Sequence, residues 1–198
     1  MIELIYPVDD MAPVLPMVSA GTTESAANGG DVEMFPIIDE EGLVIGRAER
    51  SYCHGGSRLL HPVVHLHLID RQERIYLQKR SMKKKLLPGK WDTAVGGHIM
   101  YGEAITEALY REAREELGLD AFNPIFIKSY RWDTAVDAEF VNVFAAVGNL
   151  NPVPDMDEVE QGRWWSIPEI EKKLETGVFT PNFVDEFRDI RDSLLSLL

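Results

Sequence analysis

Three glutamates stand close together near the middle of this chain, at positions 112, 115 and 116. The preceding residues 104–109 carry small and apolar side chains at the spacing of a buried helix stripe, and Glu112, Glu115 and Glu116 continue that stripe. Carboxylates that share one arc repel each other and are costly to desolvate unless a cation neutralises them. Oxygen ligands with retained waters suit Mg²⁺ or Mn²⁺, so the pattern predicts a divalent-metal site.

A glutamate-rich, solvated helix face is the ordinary alternative for these residues. It would explain the charge but not Gly97 and Gly102, which lie just before the helix, where backbone can approach a ligand closely. Arg111 stands four residues before Glu115, near enough on a helix to hold that carboxylate in place. We therefore favour the metal site.

The segment from Gly97 to Leu119 resembles the Nudix box, G-x5-E-x7-R-E-U-x-E-E-x-G-U with U aliphatic. Each specified position is met when Ala113 is accepted as the small apolar member. The resemblance implies that Glu112, Glu115 and Glu116 bind divalent metal together with the Gly97 carbonyl.

The resemblance also implies a reaction, the metal-dependent hydrolysis of a phosphoanhydride in a nucleoside diphosphate derivative or a similar small phosphorylated metabolite. Glu103 would support the carboxylate cluster, Arg111 would orient Glu115, and these two residues with Glu116 are the predicted catalytic set. The proton acceptor stays open between a box glutamate and a carboxylate from another loop.

Outside the box, the chain resembles the isopentenyl-diphosphate isomerase branch of the Nudix superfamily, in which three histidines and two acidic residues hold a metal. The matching positions here are His54, His61, His98, Asp137 and Glu139. Aspartate replaces glutamate at position 137, and each histidine could also be an ordinary core or surface residue. These five residues are predicted as a second metal site.

Two further positions bear on that branch. Arg80 and Lys84 fall where it holds its diphosphate, and they are the predicted substrate-binding residues. The catalytic cysteine of the branch would stand at position 96, where this chain has Gly96, and Cys53 lies elsewhere. A hydrolase of isomerase-like ancestry is therefore favoured over an isomerase, and a non-catalytic Nudix module that binds a phosphorylated ligand is the second alternative.

The elements that must position these residues follow from apolar periodicity. The predicted class is α/β, a Nudix-type α/β/α sandwich around a mixed β-sheet. The predicted strands and helices are a hairpin of 35–38 and 43–45, strands 62–69, 75–80, 125–132, 140–147 and 163–165, a helix over 103–117, and helices that start at Ser166 and Thr180. Alternation in strand 62–69 places His65 and His67 on a polar face.

Residues 1–31 are predicted to form an N-terminal extension with a flexible link, and residues 32–198 the Nudix domain with a C-terminal helix. A formal charge of -13 argues against a nucleic-acid polymer or an anionic membrane as partner and leaves a small phosphorylated substrate. A single cysteine, no signal peptide and no long apolar run predict a cytoplasmic protein. The apolar residues of the extension make a homodimer possible.

Overall fold

The computed structural model of the protein describes residues 3–4, 32–84, 86–156 and 159–198. The predicted N-terminal extension therefore lies outside the described residues, apart from the two-residue strand β1 (Glu3–Leu4). The chain forms two compact units. The first comprises Met1–Val63, His98–Ala108 and Arg131–Val141, and the second Val64–Gly97, Leu109–Tyr130 and Asn142–Leu198.

A three-stranded antiparallel sheet in the order β1-β3-β2 belongs to the first unit, with β2 at Met34–Ile38 and β3 at Val44–Glu49. The connection is tight because the Asp39 side chain accepts hydrogen bonds from two backbone N–H groups of the turn. The predicted hairpin is confirmed. After β3 come α1 (Arg50–Tyr52) and a π-helical turn, Cys53–Ser57.

The remaining strands form a seven-stranded sheet in the order β10-β5-β4-β9-β8, with β6 paired to β5 and β7 paired to β4. Their bounds are β4 Leu60–Ile69, β5 Arg74–Arg80, β6 Trp91–Asp92, β7 Val95–His98, β8 Ile125–Asp133, β9 Ala138–Val147 and β10 Val159–Ser166. The predicted strands are all present, together with the short β6 and β7.

Strand β4 departs from the prediction in one respect. All ten of its residues are buried, so His65 and His67 do not form a solvated polar face. Alternation alone could not reveal this, because the carboxylate that satisfies both imidazoles, Glu186, lies about 120 residues further along the chain.

The central helix α2 (Ile105–Leu117) begins two residues later than predicted. Gly102 has φ +87° and the Glu103 N–H donates to the Met100 carbonyl, so the chain still turns there. The helix ends as predicted at Gly118, whose φ of +61° suits glycine.

Two helices follow β10, namely α3 (Ile167–Lys173), continued by the 3₁₀ turn Leu174–Thr176, and α4 (Pro181–Leu195). Thr180 caps α4 as predicted, with its hydroxyl accepting from the Phe183 N–H. The helix predicted to start at Ser166 is present, although the Ser166 side chain makes no capping hydrogen bond. In the described part of the chain, no helix is long and apolar enough to cross a membrane.

Candidate active site and metal cluster

The box glycine Gly97 lies directly against the first box glutamate. Gly97 ends the buried part of β7, and a Cβ atom built on it would overlap the carboxyl group of Glu112 from α2. Only a residue without a side chain allows this approach. The Glu112 carboxylate therefore lies against the backbone of position 97.

Arg111 connects two of the box carboxylates. Its Nη1 lies 2.7 Å from Glu112 Oε1 and 3.2 Å from Glu115 Oε2. The side chain of Glu112 is 13% exposed and that of Glu115 is 58% exposed, so the guanidinium neutralises one enclosed and one solvated carboxylate. The positive charge of Arg111 therefore reduces the repulsion expected between the carboxylates on this helix face.

The third box glutamate has a partner that the sequence did not indicate. Gln78 of β5 donates from Nε2 to Glu116 Oε2 at 2.7 Å, which fixes one carboxylate oxygen. The other side-chain atom of Gln78, Oε1, is buried without a hydrogen-bond partner among the described residues. Glu103 belongs to the first unit, where its Oε2 accepts from the Met100 N–H at 2.9 Å.

The predicted second metal site gives the closest convergence of ligand atoms. Among the described residues, one group of histidine, cysteine and acidic side chains could hold a metal ion, and its ligand atoms all lie within 4.8 Å of one another. Its members are His54, His61, His98 and Glu139. The box glutamates do not form such a group among the described residues.

The chemistry of this cluster fits a metal. His54 Nε2 and His61 Nε2 are buried and have no hydrogen-bond partner in the described part of the chain, although buried polar atoms are normally satisfied. The other nitrogen of His61 is 2.8 Å from the Leu59 carbonyl oxygen, which fixes the tautomer that leaves Nε2 unprotonated. Burial lowers the pKa of His61, so the neutral form that binds metals is favoured.

An aromatic ring closes one side of the cluster. Phe35 of β2 stacks on His98 with ring centroids 4.4 Å apart and on His61 at 5.4 Å. Apolar shells of this kind limit solvent access to a bound ion and lower the local dielectric constant. Three imidazoles and one carboxylate are a donor set that suits a transition metal better than Mg²⁺.

The fifth predicted ligand, Asp137, is not part of the converging group. Its Oδ2 lies 2.5 Å from His54 Nδ1, and its Oδ1 is 3.8 Å from His61 Nε2. Burial opposes ionisation of Asp137, but the hydrogen bond and charge of His54 outweigh it and lower the pKa of the carboxyl. Aspartate is one methylene shorter than glutamate, and here its carboxylate hydrogen-bonds the Nδ1 atom of His54.

Asp137→Asn should weaken metal binding by about 10–100-fold, the usual effect of removing a carboxylate that orients a histidine ligand. The amide cannot supply the same charge to His54 Nδ1. Competition titration of Mn²⁺ and Zn²⁺ against a chelating dye would measure the dissociation constant. Val136→Ala, which shortens an exposed side chain of the same loop, serves as the control, and equal affinities in all three proteins would contradict the assignment.

The predicted diphosphate-binding residues lie at and after the end of β5. Arg80 has Nη1 3.4 Å from Asp92 Oδ2 and Nε 3.3 Å from the Leu86 carbonyl oxygen, and its side chain is 31% exposed. Lys84 is exposed in the following loop. Two alternating positions of a strand face the same side, so Arg80 and Gln78 project from one face of β5.

The chain belongs to the Nudix family. The model of the NUDIX domain matches residues 59–187, which is more than half of the protein and contains the whole box. The resemblance drawn from the box is therefore confirmed.

Its relatives within that family extend the likeness to the isomerase branch. A protein named isopentenyl-diphosphate Delta-isomerase from Streptomyces griseus is 30% identical over 190 residues. The match covers 92% of this chain and 96% of the relative's length. One of the same name from Leifsonia xyli is 34% identical over 67% of this chain and 76% of its own.

Solved structures confirm the α/β fold class. DR0079 from Deinococcus radiodurans superposes with a TM-score of 0.70 at 25% identity, covering 79% of this chain and 98% of that chain. A MutT protein from Methanosarcina mazei has the same fold with a TM-score of 0.58 at 21% identity, over 68% of this chain and 94% of that one.

Proposed function

We propose that this Nudix protein is a divalent-metal-dependent hydrolase that cleaves a phosphoanhydride bond in a nucleoside diphosphate derivative or a similar small phosphorylated metabolite. The observation that carries the proposal is the glycine at position 96 beside a complete set of box residues. Hydrolysis needs the carboxylates and a water molecule, whereas isomerisation by the branch it resembles also needs a thiol at that position.

In this proposal Glu112, Glu115, Glu116 and the Gly97 carbonyl would hold Mg²⁺ or Mn²⁺. The cluster of His54, His61, His98 and Glu139 would hold a second ion, with Asp137 behind it. A bound divalent ion neutralises the diphosphate oxygens and makes a water molecule more acidic.

The protein side chains then have separate tasks. Glu116, whose Oε2 accepts a hydrogen bond from Gln78, would accept a proton from the attacking water. Water oxygen forms a bond to phosphorus, and the bridging oxygen leaves on the other phosphate. Arg80 and Lys84 bind the phosphate charges, and Arg111 keeps Glu112 and Glu115 in position.

An isomerase-like reaction is the second candidate, favoured by the names of the relatives and by the histidine cluster. It requires a reactive thiol, and Cys53 is the only cysteine in the sequence. Cys53 is fully buried, and burial together with the charge of Asp137 raises its pKa to about 11. The thiolate is the reactive form of cysteine, so Cys53 is poorly suited to the role.

Cys53 should resist iodoacetamide in the native protein at pH 8. A pKa of about 11 leaves roughly one thiol in a thousand ionised at that pH, and the side chain is enclosed. Mass spectrometry would count the adducts, with alkylation in denaturant as the positive control. Cys53→Ala should retain full turnover. Loss of turnover in a folded Cys53→Ala variant would favour the isomerase.

A substrate panel tests the proposal. Nucleoside diphosphates and triphosphates, sugar and dinucleotide diphosphates and isopentenyl diphosphate would be incubated with Mg²⁺ or Mn²⁺, and the products identified by mass. Metal-dependent release of a phosphorylated product supports hydrolysis. Conversion of isopentenyl diphosphate without change in mass would favour isomerisation over hydrolysis. Metal-dependent binding without turnover would favour a non-catalytic module.

A further inference from the structure

The side-chain amide of Gln78 is bonded at its nitrogen, while its oxygen is buried without a partner. Nε2 donates to Glu116 Oε2 at 2.7 Å. An ionised carboxylate only accepts hydrogen bonds, so the atom that faces Glu116 is the amide nitrogen and the remaining atom is the oxygen. In the described part of the chain Gln78 Oε1 has no hydrogen-bond partner, although buried acceptors are normally satisfied. A buried acceptor that needs a donor therefore lies beside a box carboxylate.

Strand pairing fixes the backbone of Gln78 from both sides. In β6 the residue opposite Gln78 is Asp92, and in β10 it is Gly162. The Tyr76 phenol occupies the space where a Cβ atom of Gly162 would lie. Tyr76 is buried and stands two residues before Gln78, so the two side chains share one face of β5. The position opposite on β10 therefore brings no side chain of its own to the Gln78 amide.

The same face of β5 carries the predicted phosphate-binding arginine. Arg80 stands two residues after Gln78, about 7 Å further along the strand. Gln78 is thus a neighbour of Arg80 along β5 and of Glu116 through its hydrogen bond. A phosphate-binding group, a carboxylate base and an unsatisfied acceptor therefore meet at the end of one strand.

Hydrolysis requires an acceptor of this kind. The attacking water has two protons, and Glu116 accepts one of them. The water oxygen forms the new bond to phosphorus, the bridging oxygen leaves on the other phosphate, and the second proton stays on the transferred oxygen. An acceptor for that second proton fixes the direction of the attacking lone pair, and such positioning of water is a main contribution of protein groups to phosphoryl transfer.

We propose that Gln78 is the water-orienting residue of this active site, with Oε1 accepting a hydrogen bond from the second proton of the attacking water. The inference rests on the proposed function and adds to it a residue outside the box. Through Nε2 the amide positions the base, and through Oε1 it positions the nucleophile. A purely structural role would need only the hydrogen bond to Glu116.

Methanol as a competing nucleophile distinguishes these two roles. It has one hydroxyl proton for Glu116 but a methyl group in place of the second proton, so it leaves Gln78 Oε1 without a donor. A site built to accept a hydrogen bond discriminates strongly against a molecule that lacks the donor. A residue that only supports Glu116 would change attack by water and by methanol equally.

Each compound of the substrate panel would be incubated with Mg²⁺ in water and in a water–methanol mixture, and mass spectrometry would count the free and methylated phosphate products. Gln78→Met has the length of glutamine but lacks the amide. In this variant kcat in water should fall about 10²-fold with little change in KM. The ratio of methylated to free product should rise about tenfold or more.

Two further substitutions separate the groups of the amide. Gln78→Glu keeps an oxygen acceptor but places a second carboxylate against Glu116, so it should lower kcat and keep the wild-type product ratio. Gln78→Asn, whose shorter amide withdraws the acceptor, should raise the ratio as Gln78→Met does, and it replaces that variant if methionine prevents folding. Gln161→Leu, at an exposed position of β10, is the control and should retain the wild-type kcat and ratio.

Equal product ratios in the wild-type protein and in folded Gln78→Met or Gln78→Asn would overturn the inference. A raised ratio in Gln78→Glu or Gln161→Leu would overturn it as well. In each of these cases cleavage of a panel compound by the wild-type protein in water would leave the proposed function standing. No cleavage of any panel compound in water would overturn both.

Discussion

Glu116→Gln is expected to lower kcat by about 10²–10⁴-fold, the range for loss of a general base, while the protein remains folded. Glutamine has the same shape and can still accept the hydrogen bond that Gln78 donates. It lacks the negative charge that a metal requires and the basicity that proton transfer requires. Steady-state rates with the best substrate of the panel and a melting curve measure the two effects.

Glu107→Gln on the same helix is the matched control. Glu107 is exposed and accepts a hydrogen bond from the Ala104 N–H, which a glutamine oxygen can replace. It should retain wild-type kcat. Equal activity of the two variants would mean that the reaction does not use Glu116.

Gly97→Ala is expected to reduce metal-dependent activity by about 10²-fold or more with little loss of stability. The new methyl would overlap the Cγ and carboxyl atoms of Glu112, a side chain that can rotate away without a shift of the backbone. A displacement of about 1 Å at a catalytic group has effects of this size. The Mg²⁺ concentration for half-maximal activity should rise in the same variant.

A double-mutant cycle tests whether the glycine acts through Glu112. In a Glu112→Ala background the added methyl meets no carboxyl group, so Gly97→Ala should have almost no further effect. Additive losses would show that position 97 contributes independently of that carboxylate. Unchanged activity in the single variant would contradict the close approach of backbone and metal ligand.

The strands, the central helix and its C-terminal glycine were predictable because local patterns determine them. Apolar alternation and a period of 3.6 residues act within ten to fifteen neighbouring positions. Gly118 ends α2 through its own left-handed backbone, and Thr180 caps α4 through its own hydroxyl. Signals of this kind are complete within a few residues of sequence.

The partners of the functional side chains were not predictable in the same way. The Asp137–His54 contact joins residues 83 positions apart, and Gln78 reaches Glu116 across 38. Matching to the isomerase branch suggested Asp137 as a ligand, but a one-methylene difference changes what an acidic side chain can reach. Alternation predicted a polar strand face for His65, whereas in the structure the imidazole hydrogen-bonds Glu186 of α4.

Isotope transfer from water distinguishes hydrolysis of a phosphoanhydride from isomerisation. The protein would be incubated in ¹⁸O-enriched water with Mg²⁺, a ribonucleoside diphosphate and isopentenyl diphosphate in the same reaction, and the products would be weighed by mass spectrometry. Hydrolysis should place one ¹⁸O atom in a phosphate released from the nucleotide, and Glu116→Gln should lose this label. Double-bond migration in isopentenyl diphosphate, with no label in any phosphate, would contradict the proposed hydrolysis.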